Sequence, residues 1–136
     1  MIIRAITAEQ TLPLRQAVLW PDHPLSANRL EGDDSALHFG GFAGDRLVCT
    51  ASLFSDKDQI RLRKFATLRD EQGQGRGTAM IHHLLAVARA QQAQVFWFDA
   101  RESALPFYAR FGFETSGDPF FKRDIPYRRM SLRLAP

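Results

Sequence analysis

Three glycines alternate with polar residues between a strand-like segment and a helix-like segment, and this feature most constrains how the chain can fold. The loop reads Gln72-Gly73-Gln74-Gly75-Arg76-Gly77-Thr78. Alternating glycines allow the backbone to turn tightly and leave the amide N–H groups without side-chain cover. Together with the positive end of the following helix dipole, such amides form a binding site for a phosphate or pyrophosphate. A flexible connector is the alternative interpretation of the same glycines.

Two well-known phosphate-binding loops fit this pattern only in part. A Walker loop places a lysine directly after its last glycine, and none of these glycines is followed by lysine. The dinucleotide-binding fingerprint G-x-G-x-x-G needs a glycine where this chain has Thr78, although Asp99 after the next predicted strand would suit a ribose ligand. At 136 residues, the chain also lacks room for a doubly wound sheet and a separate substrate domain.

Before the loop, the chain shows the pattern of a meander of strands. Four segments are predicted to be strands, namely residues 2–6, 36–43, 46–55 and 59–68. Gly44-Asp45 suits a two-residue hairpin turn between the second and the third. In the fourth segment, the alternation of apolar and polar residues slips at Lys64-Phe65-Ala66, which indicates a β-bulge.

The segment after the first predicted strand contains a helix whose start can be placed in two ways. Thr11 can cap a helix that has Pro13 in its first turn, where the missing N–H costs nothing. A capping box from Thr7 to Gln10 would instead place Pro13 in the helix interior, so we expect the later start. Trp20 precedes a proline and is a predicted helix end.

After the loop, helix and strand patterns alternate. We predict a helix over residues 78–92, a buried strand over 95–98, a short helix starting near Ser103, and a final strand over 125–134. Gly112 suits the left-handed conformation that ends many helices. The whole order indicates one α/β domain over residues 1–136, in which helices flank a mixed, mainly antiparallel sheet.

Composition narrows the classes of protein that fit. Apolar residues make up 45% and charged residues 24% of the chain, which is typical of a globular protein. No apolar run reaches the roughly 20 residues of a membrane-spanning helix, and the first residues lack the features of a signal peptide. Cys49 is the only cysteine, which excludes an internal disulfide and fits a cytoplasmic location. The net charge of +3 permits an anionic partner, but the basic residues are spread along the chain, which argues against a nucleic acid.

The loop and a second segment carry motifs that occur together in one enzyme family. Residues 72–77 match the pattern Q/R-x-x-G-x-G/A, and residues 100–113 match A-R-x-x-A-x-x-F-Y-x-x-x-G-F. In this combination the chain resembles the GNAT superfamily of N-acetyltransferases, in which the first pattern is the acyl-CoA loop. The resemblance is firm over residues 59–113. It implies that acetyl-CoA is the cosubstrate and that an acetyl group passes to a primary amine by direct attack in a ternary complex. No metal is expected, because His23, His82, His83 and Cys49 do not have the spacing of metal ligands.

The same resemblance implies roles for individual residues. The backbone of the strand before the loop would pair with the pantetheine arm of CoA through Phe65, Ala66 and Thr67. The pyrophosphate would be held by Gln72, Gly73, Gln74, Gly75, Arg76, Gly77 and Thr78. Ser103 stands where relatives often contact the pantetheine, and a helix cap is its alternative role. Tyr108 resembles the general acid that protonates the departing CoA thiolate, with aromatic packing as its alternative role.

The base that deprotonates the acceptor is not evident from the sequence. The strand before the loop carries basic residues and no carboxylate where several relatives have one. The candidates are Glu31, Asp33, Asp34 and His38. Each of them is expected to be a solvated loop or strand residue, and a water relay is an equal alternative.

The acceptor is also left open. A small-molecule amine and a peptide amine both fit the family. Tyr127-Arg128-Arg129 either line an acceptor cleft, where the arginines would favour an acidic acceptor, or lie on an exposed edge. A CoA-binding sensor without turnover is the main alternative function. A weaker one is a nucleic-acid-binding domain that uses Arg61, Arg63, Lys64 and Arg128. The oligomeric state is equally open, a homodimer included.

Overall fold

A seven-stranded sheet forms the centre of the protein, for which a computed structural model describes residues 1–134. The strands are β1 (Ile2–Ile6), β2 (Leu37–Ala43), β3 (Arg46–Asp56), β4 (Gln59–Thr67), β5 (Val95–Arg101), β6 (Glu114–Lys122) and β7 (Ile125–Arg133). They lie in the order β1-β2-β3-β4-β5-β7-β6. Within the described residues, β4 and β5 are parallel and the other neighbouring strands are antiparallel. The predicted fold class is therefore confirmed.

Three α-helices within residues 1–134 flank this sheet. They are α1 (Ala8–Leu14), α2 (Arg76–Ala90) and α3 (Leu105–Ala109). Helix α2 buries one stripe of apolar side chains at helical spacing, formed by Met80, Ile81, Leu84, Leu85 and Ala88. That stripe packs into the apolar core of the sheet. No helix within residues 1–134 has the length and apolar character needed to cross a membrane.

Helical segments lie on both faces of the sheet, as β3 shows. Ala51 and Leu53 belong to the apolar core that includes α2. Ser52 lies between them and therefore points to the opposite face, where its hydroxyl accepts a hydrogen bond from Arg15 at 3.0 Å. Arg15 begins a π-helical turn, Arg15–Leu19, that continues directly from α1. The α1 segment and α2 thus cover opposite faces.

The bulge that the sequence predicts is present in β4. Arg63 and Ala66 form successive pairs with β3, while β3 advances by only two residues between them. Lys64 and Phe65 therefore lie opposite a single residue of β3, and Lys64 adopts a left-handed φ of +53°. A bulge of this kind bends the strand and re-aims its side chains.

β4 and β5 separate partway along their length. Their pairing ends at Arg61 and Trp97, although β4 continues to Thr67 and β5 to Arg101. Beyond this point, no strand within residues 1–134 pairs with the edge of β4 that faces β5. The backbone N–H and C=O groups of that edge are therefore available to a ligand.

The predicted start of the first helix is wrong. α1 begins directly after Thr7, whose hydroxyl accepts from the Gln10 amide while the Gln10 side chain accepts from the Thr7 amide. Pro13 consequently lies inside the helix. It is tolerated because it is exposed and because the chain then widens into the π-helical turn Arg15–Leu19. The helix thus begins at the capping box despite the interior proline, and the predicted end at Trp20 is confirmed.

Strand β6 is absent from the predicted elements. Most of its residues are exposed, and it contains Gly117 and Pro119, which are unfavourable inside a strand. Its pairing with β7 is interrupted between Ser116 and Phe120. The strand lies at the edge of the sheet, so it has no buried face that would impose an alternating pattern on the sequence.

Candidate active site

A cleft of about 610 Å³ lies between the end of β4, the glycine loop, the start of α2 and α3. We call it the loop cleft. Most residues that the family resemblance assigns to CoA line it, namely Phe65, Ala66, Thr67, Gln72, Gly73, Gly75, Arg76, Gly77 and Thr78. Gln74 and Ser103 are exposed and do not line this cleft. Next to Ser103, it is Ala104 that faces the cleft.

The glycine loop has the backbone shape of an anion-binding site. Gly73 and Gly75 adopt left-handed φ angles of +77° and +78°, which residues other than glycine rarely adopt. Gly75 immediately precedes α2, so the amides of Arg76, Gly77 and Thr78 lie in the first turn and have no acceptor within the helix. These amides and the helix dipole concentrate positive potential at the loop cleft.

Side chains fix the loop from three sides. The Gln72 side-chain amide donates to the Thr67 carbonyl at 3.0 Å, which links the loop to the end of β4. Arg76 Nε donates to the Glu71 carboxylate at 2.8 Å. Arg110 on the other side of the cleft donates to the Thr78 hydroxyl at 3.1 Å. These three hydrogen bonds connect the loop to the end of β4, to Glu71 and to Arg110.

Tyr108 occupies the junction between the loop cleft and a second cleft. Its ring packs against Phe98, with ring centroids 4.4 Å apart, and against Phe107 at 5.0 Å. Its hydroxyl has no hydrogen-bond partner among the residues that the structure describes. Burial raises the pKa of Tyr108 to about 12, so the phenol is protonated throughout the neutral range. Both of its expected roles, aromatic packing and proton donation, are compatible with this position.

The second cleft has a volume of about 480 Å³ and shares Phe65, Ala104 and Tyr108 with the first. Strands β4 and β5, the turn between β6 and β7, and the segment that follows α1 line it. Its cationic side chains are Arg61, Arg63, Lys64, Arg101, Lys122 and Arg123, and we call it the cationic cleft. Tyr127 also lines this cleft, whereas Arg128 and Arg129 do not.

Asp99 is the single carboxylate among the described residues that line the cationic cleft. Two arginines form ion pairs with it. Arg129 Nε donates to one carboxylate oxygen at 2.9 Å, and Arg61 Nη2 lies 3.4 Å from the other. The same two guanidinium groups lie over the ring of Trp97. Asp99 is therefore a structural partner of arginines and not the free ribose ligand that its position in the sequence suggested.

A buried polar cluster supports the wall of the cationic cleft. The fully buried Arg15 donates to both oxygens of Asp33, at 2.8 and 3.1 Å, and to Ser52. His38 Nε2 lies 2.8 Å from the Asp33 carbonyl and must donate to it, so in the neutral ring Nδ1 accepts from the Ser52 hydroxyl at 2.7 Å. The π-helical turn that starts at Arg15 leads directly to Trp20, which lines the cleft.

The expectation that Asp33 and His38 are solvated is therefore wrong, whereas Glu31 and Asp34 are exposed as expected. Burial by itself raises the pKa of Asp33. Hydrogen bonds from Arg15 and from the Leu30 amide, with the charge of Arg15, outweigh burial and lower the pKa below its ordinary value. Because their polar atoms are already engaged, neither Asp33 nor His38 is free to serve as the base.

No group of three or more His, Cys, Asp or Glu side chains within residues 1–134 could hold a metal ion. Cys49 is buried in the apolar core, where burial raises the pKa of its thiol. His82 is exposed and lies edge-on to Phe111. These residues therefore belong to the packing of the protein.

The chain is similar to known acetyltransferases in sequence and in fold. A family model of the acetyltransferase (GNAT) domain matches residues 21–134. The chain is 28% identical over 133 residues to the uncharacterized N-acetyltransferase YitI of Bacillus subtilis, a match that covers 91% of this chain and 87% of the relative. A GNAT family acetyltransferase from Elizabethkingia anophelis with acetyl-CoA bound has a TM-score of 0.77 at 15% identity, over 98% of this chain and 97% of that one. The ribosomal-protein-S18-alanine N-acetyltransferase from Escherichia coli has a TM-score of 0.80 at 18% identity, over 99% and 94%.

The match to the acetyltransferase domain over residues 21–134 identifies the protein as an acyltransferase. The family match spans most of the chain, and the chain belongs to the GNAT acetyltransferases. The resemblance carried by its two sequence motifs is thus confirmed. The likeness to the two solved structures shows the shared fold.

Proposed function

We propose that this protein transfers the acetyl group of acetyl-CoA to a primary amine by direct attack in a ternary complex. The observation that carries the proposal is the position of Tyr108 and Phe65 where the loop cleft and the cationic cleft meet. A donor in one cleft and an acceptor in the other would meet at this point. Acetyl-CoA supplies the activated acyl group as a thioester.

In this proposal, backbone groups hold the donor. The amides of the glycine loop and of the first turn of α2 bind the pyrophosphate, aided by the helix dipole. The free edge of β4, at Phe65, Ala66 and Thr67, pairs with the pantetheine arm in the manner of an added strand. A backbone N–H in the bulge donates to the thioester oxygen as negative charge develops on it.

Tyr108 is the proposed general acid. When the amine attacks the thioester carbonyl, the C–S bond breaks and the CoA thiolate needs a proton, which the Tyr108 hydroxyl donates. Because burial raises the pKa of Tyr108 to about 12, the phenol carries a proton at neutral pH when the thiolate leaves. Asp99 is the sole carboxylate among the described residues that line the cationic cleft, and two arginines bind it. We therefore propose that the amine loses its proton to water.

We also propose that the acceptor is a small-molecule or peptide amine, that the protein acts in the cytoplasm, and that residues 1–136 form one catalytic domain. The lone buried cysteine is consistent with the second point. The last two residues of the proposed domain lie outside the described residues.

Calorimetric titration with acetyl-CoA and with CoA tests the donor site. A Gly75→Val variant should lose binding by at least about tenfold, because valine disfavours the left-handed backbone that the loop needs. Gly117→Val is the matched control, since Gly117 also has a left-handed φ of +74° and open space around it but lies in β6, away from both clefts. If the unmodified protein does not bind acetyl-CoA at about 1 mM, the proposed function is wrong.

A further inference from the structure

The cationic cleft carries more positive charge than the protein itself neutralises. Asp99 forms ion pairs with Arg61, which lines the cleft, and with Arg129, which lies beside it. The other five cationic side chains of the cleft, within the described part of the chain, form no ion pair with a carboxylate. They are Arg63, Lys64, Arg101, Lys122 and Arg123.

Three of these five cations are placed over aromatic rings. The Arg63 guanidinium lies 5.6 Å from the centre of the Phe54 ring, Lys64 Nζ lies 6.0 Å from that of Trp20, and Lys122 Nζ lies 4.7 Å from that of Tyr127. A cation–π contact holds the side chain in place without removing its charge. The cleft therefore presents fixed cations from two strands, β4 and β6, that are distant in sequence.

Lys64 shows how closely the positive charges are packed. Burial lowers the pKa of Lys64, and the charges of Arg63, Arg15 and Lys122 lower it further, against a smaller opposing effect of Asp33. Lys64 also occupies the bulge of β4, next to Phe65, at the junction of the two clefts. A ligand anion in this cleft would gain from several cations at once.

In the proposed function, the phosphates of the donor bind in the loop cleft and not in the cationic cleft. The loop cleft holds the glycine-loop amides and two other basic residues, Arg76 and Arg110. None of the cationic side chains of the cationic cleft lines the loop cleft. The excess charge thus faces the side from which the acceptor would approach Tyr108.

We propose that the acceptor is an amine that also carries an anionic group, a carboxylate or a phosphate, and that Arg63, Lys64 and Lys122 bind this group. The inference rests on the proposed function, because it assigns the acceptor to the cationic cleft. The anion would hold the far end of the acceptor while its amine lies at the junction near Tyr108. A neutral amine would leave these cations without a partner, so charge would determine which amines the enzyme selects.

Matched pairs of amines test the proposal directly. The CoA-saturated protein is titrated with β-alanine and with β-alaninamide, and with O-phosphoethanolamine and with ethanolamine. We expect the anionic member of at least one pair to bind at least about tenfold more tightly than its neutral partner. The same order is expected in kcat/KM for acetyl transfer from acetyl-CoA. The pair with the larger ratio identifies the anion as carboxylate or phosphate.

Variants then locate the anion. Arg63→Gln and Lys122→Gln should each weaken binding of the preferred anionic amine by about fivefold, which corresponds to about 1 kcal/mol. Arg4→Gln is the matched control, because Arg4 also lies over an aromatic ring, that of Phe42, but in β1 at the far end of the sheet. Its binding of the amine should match that of the unmodified protein.

Three results would overturn the inference and leave the proposed function standing. In the first, CoA binds normally but neither anionic amine binds at about 10 mM. In the second, neutral and anionic partners bind equally. In the third, the Arg63 and Lys122 variants lose affinity for CoA and not for the amine, which would place the CoA phosphates in this cleft. Failure of CoA itself to bind would instead contradict the proposed function.

Discussion

The loop cleft and the cationic cleft meet at Tyr108, yet they are built in different ways. Residues of one stretch of the chain, 65–78, form most of the loop cleft, and its anion-binding groups would be backbone amides. The cationic cleft is formed by side chains from segments between Leu19 and Tyr127 that are distant in sequence. A backbone-built site needs glycines at fixed spacing and therefore leaves a local signature. A site built from dispersed side chains does not.

This difference separates the general part of the proposed reaction from the specific part. The loop would bind a donor through amides that every residue type possesses, so its chemistry follows from the backbone conformation. The cationic cleft would select the acceptor through the charge of particular side chains, which can change without altering the fold. Substitutions on the two sides should accordingly have separable effects.

The largest expected effect follows from Tyr108→Phe at the junction. Removal of the hydroxyl takes away the proposed proton donor but keeps the ring that packs against Phe98. We expect kcat to fall by about 10²–10⁴-fold, while the affinities for acetyl-CoA and for the acceptor change by less than about twofold. Steady-state kinetics and calorimetry on the same samples measure both quantities.

Tyr127→Phe is the control for that substitution, because Tyr127 also lines the cationic cleft but not the loop cleft. Its kcat should remain within about twofold of the unmodified value. A Tyr108→Phe enzyme with full kcat would contradict the proposed acid and leave Tyr108 as a packing residue. A comparable fall in both variants would also argue against a specific role for Tyr108.

The second largest effect is expected in the stability of the buried polar cluster beside the cationic cleft. Asp33→Ala leaves the buried charge of Arg15 without its carboxylate, so the free energy of unfolding should fall by about 3–5 kcal/mol. Asp34→Ala, one residue away, removes an exposed partner of Arg29 and should cost no more than about 1 kcal/mol. Urea unfolding followed by circular dichroism measures both. Equal losses would show that the buried pair contributes nothing beyond a surface pair.

These residues also show what sequence patterns can and cannot predict. The slip of alternation at Lys64-Phe65-Ala66 predicts the bulge, because a strand with a buried face reveals any extra residue. The ion pair of Arg15 with Asp33 could not be predicted, since it joins a π-helical turn and a short 3-10 turn 18 residues apart, and no pattern in the sequence pairs two side chains over such a separation. Strand β6 went unpredicted because an exposed edge imposes no alternation. The roles assigned to individual site residues stay predictions.

A smaller effect should appear as a pH dependence of stability. The pKa of Asp33 in the folded protein lies below its ordinary value, so the carboxylate stabilises the fold above that value and loses this contribution as the pH falls through the folded pKa. The difference in unfolding free energy between the unmodified protein and Asp33→Asn should therefore be full at neutral pH and shrink with acidification. Urea titrations at pH 7 and 5, which lie above the ordinary pKa of an aspartate, and at pH 3, which lies below it, would show this trend. A difference that does not change with pH would mean that folding does not change the pKa of the Asp33 carboxylate.

The smallest expected effect is a gain. Asp99→Asn removes the single carboxylate of the described cationic-cleft lining and releases Arg61, so an anionic acceptor should bind about two- to fivefold more tightly. Affinity for CoA should not change, because Asp99 does not line the loop cleft. The melting temperature must be measured alongside, since Arg129 also loses its partner. A loss of acceptor affinity at unchanged melting temperature would show that the Asp99 carboxylate binds the amine of the acceptor and does not repel its anionic group.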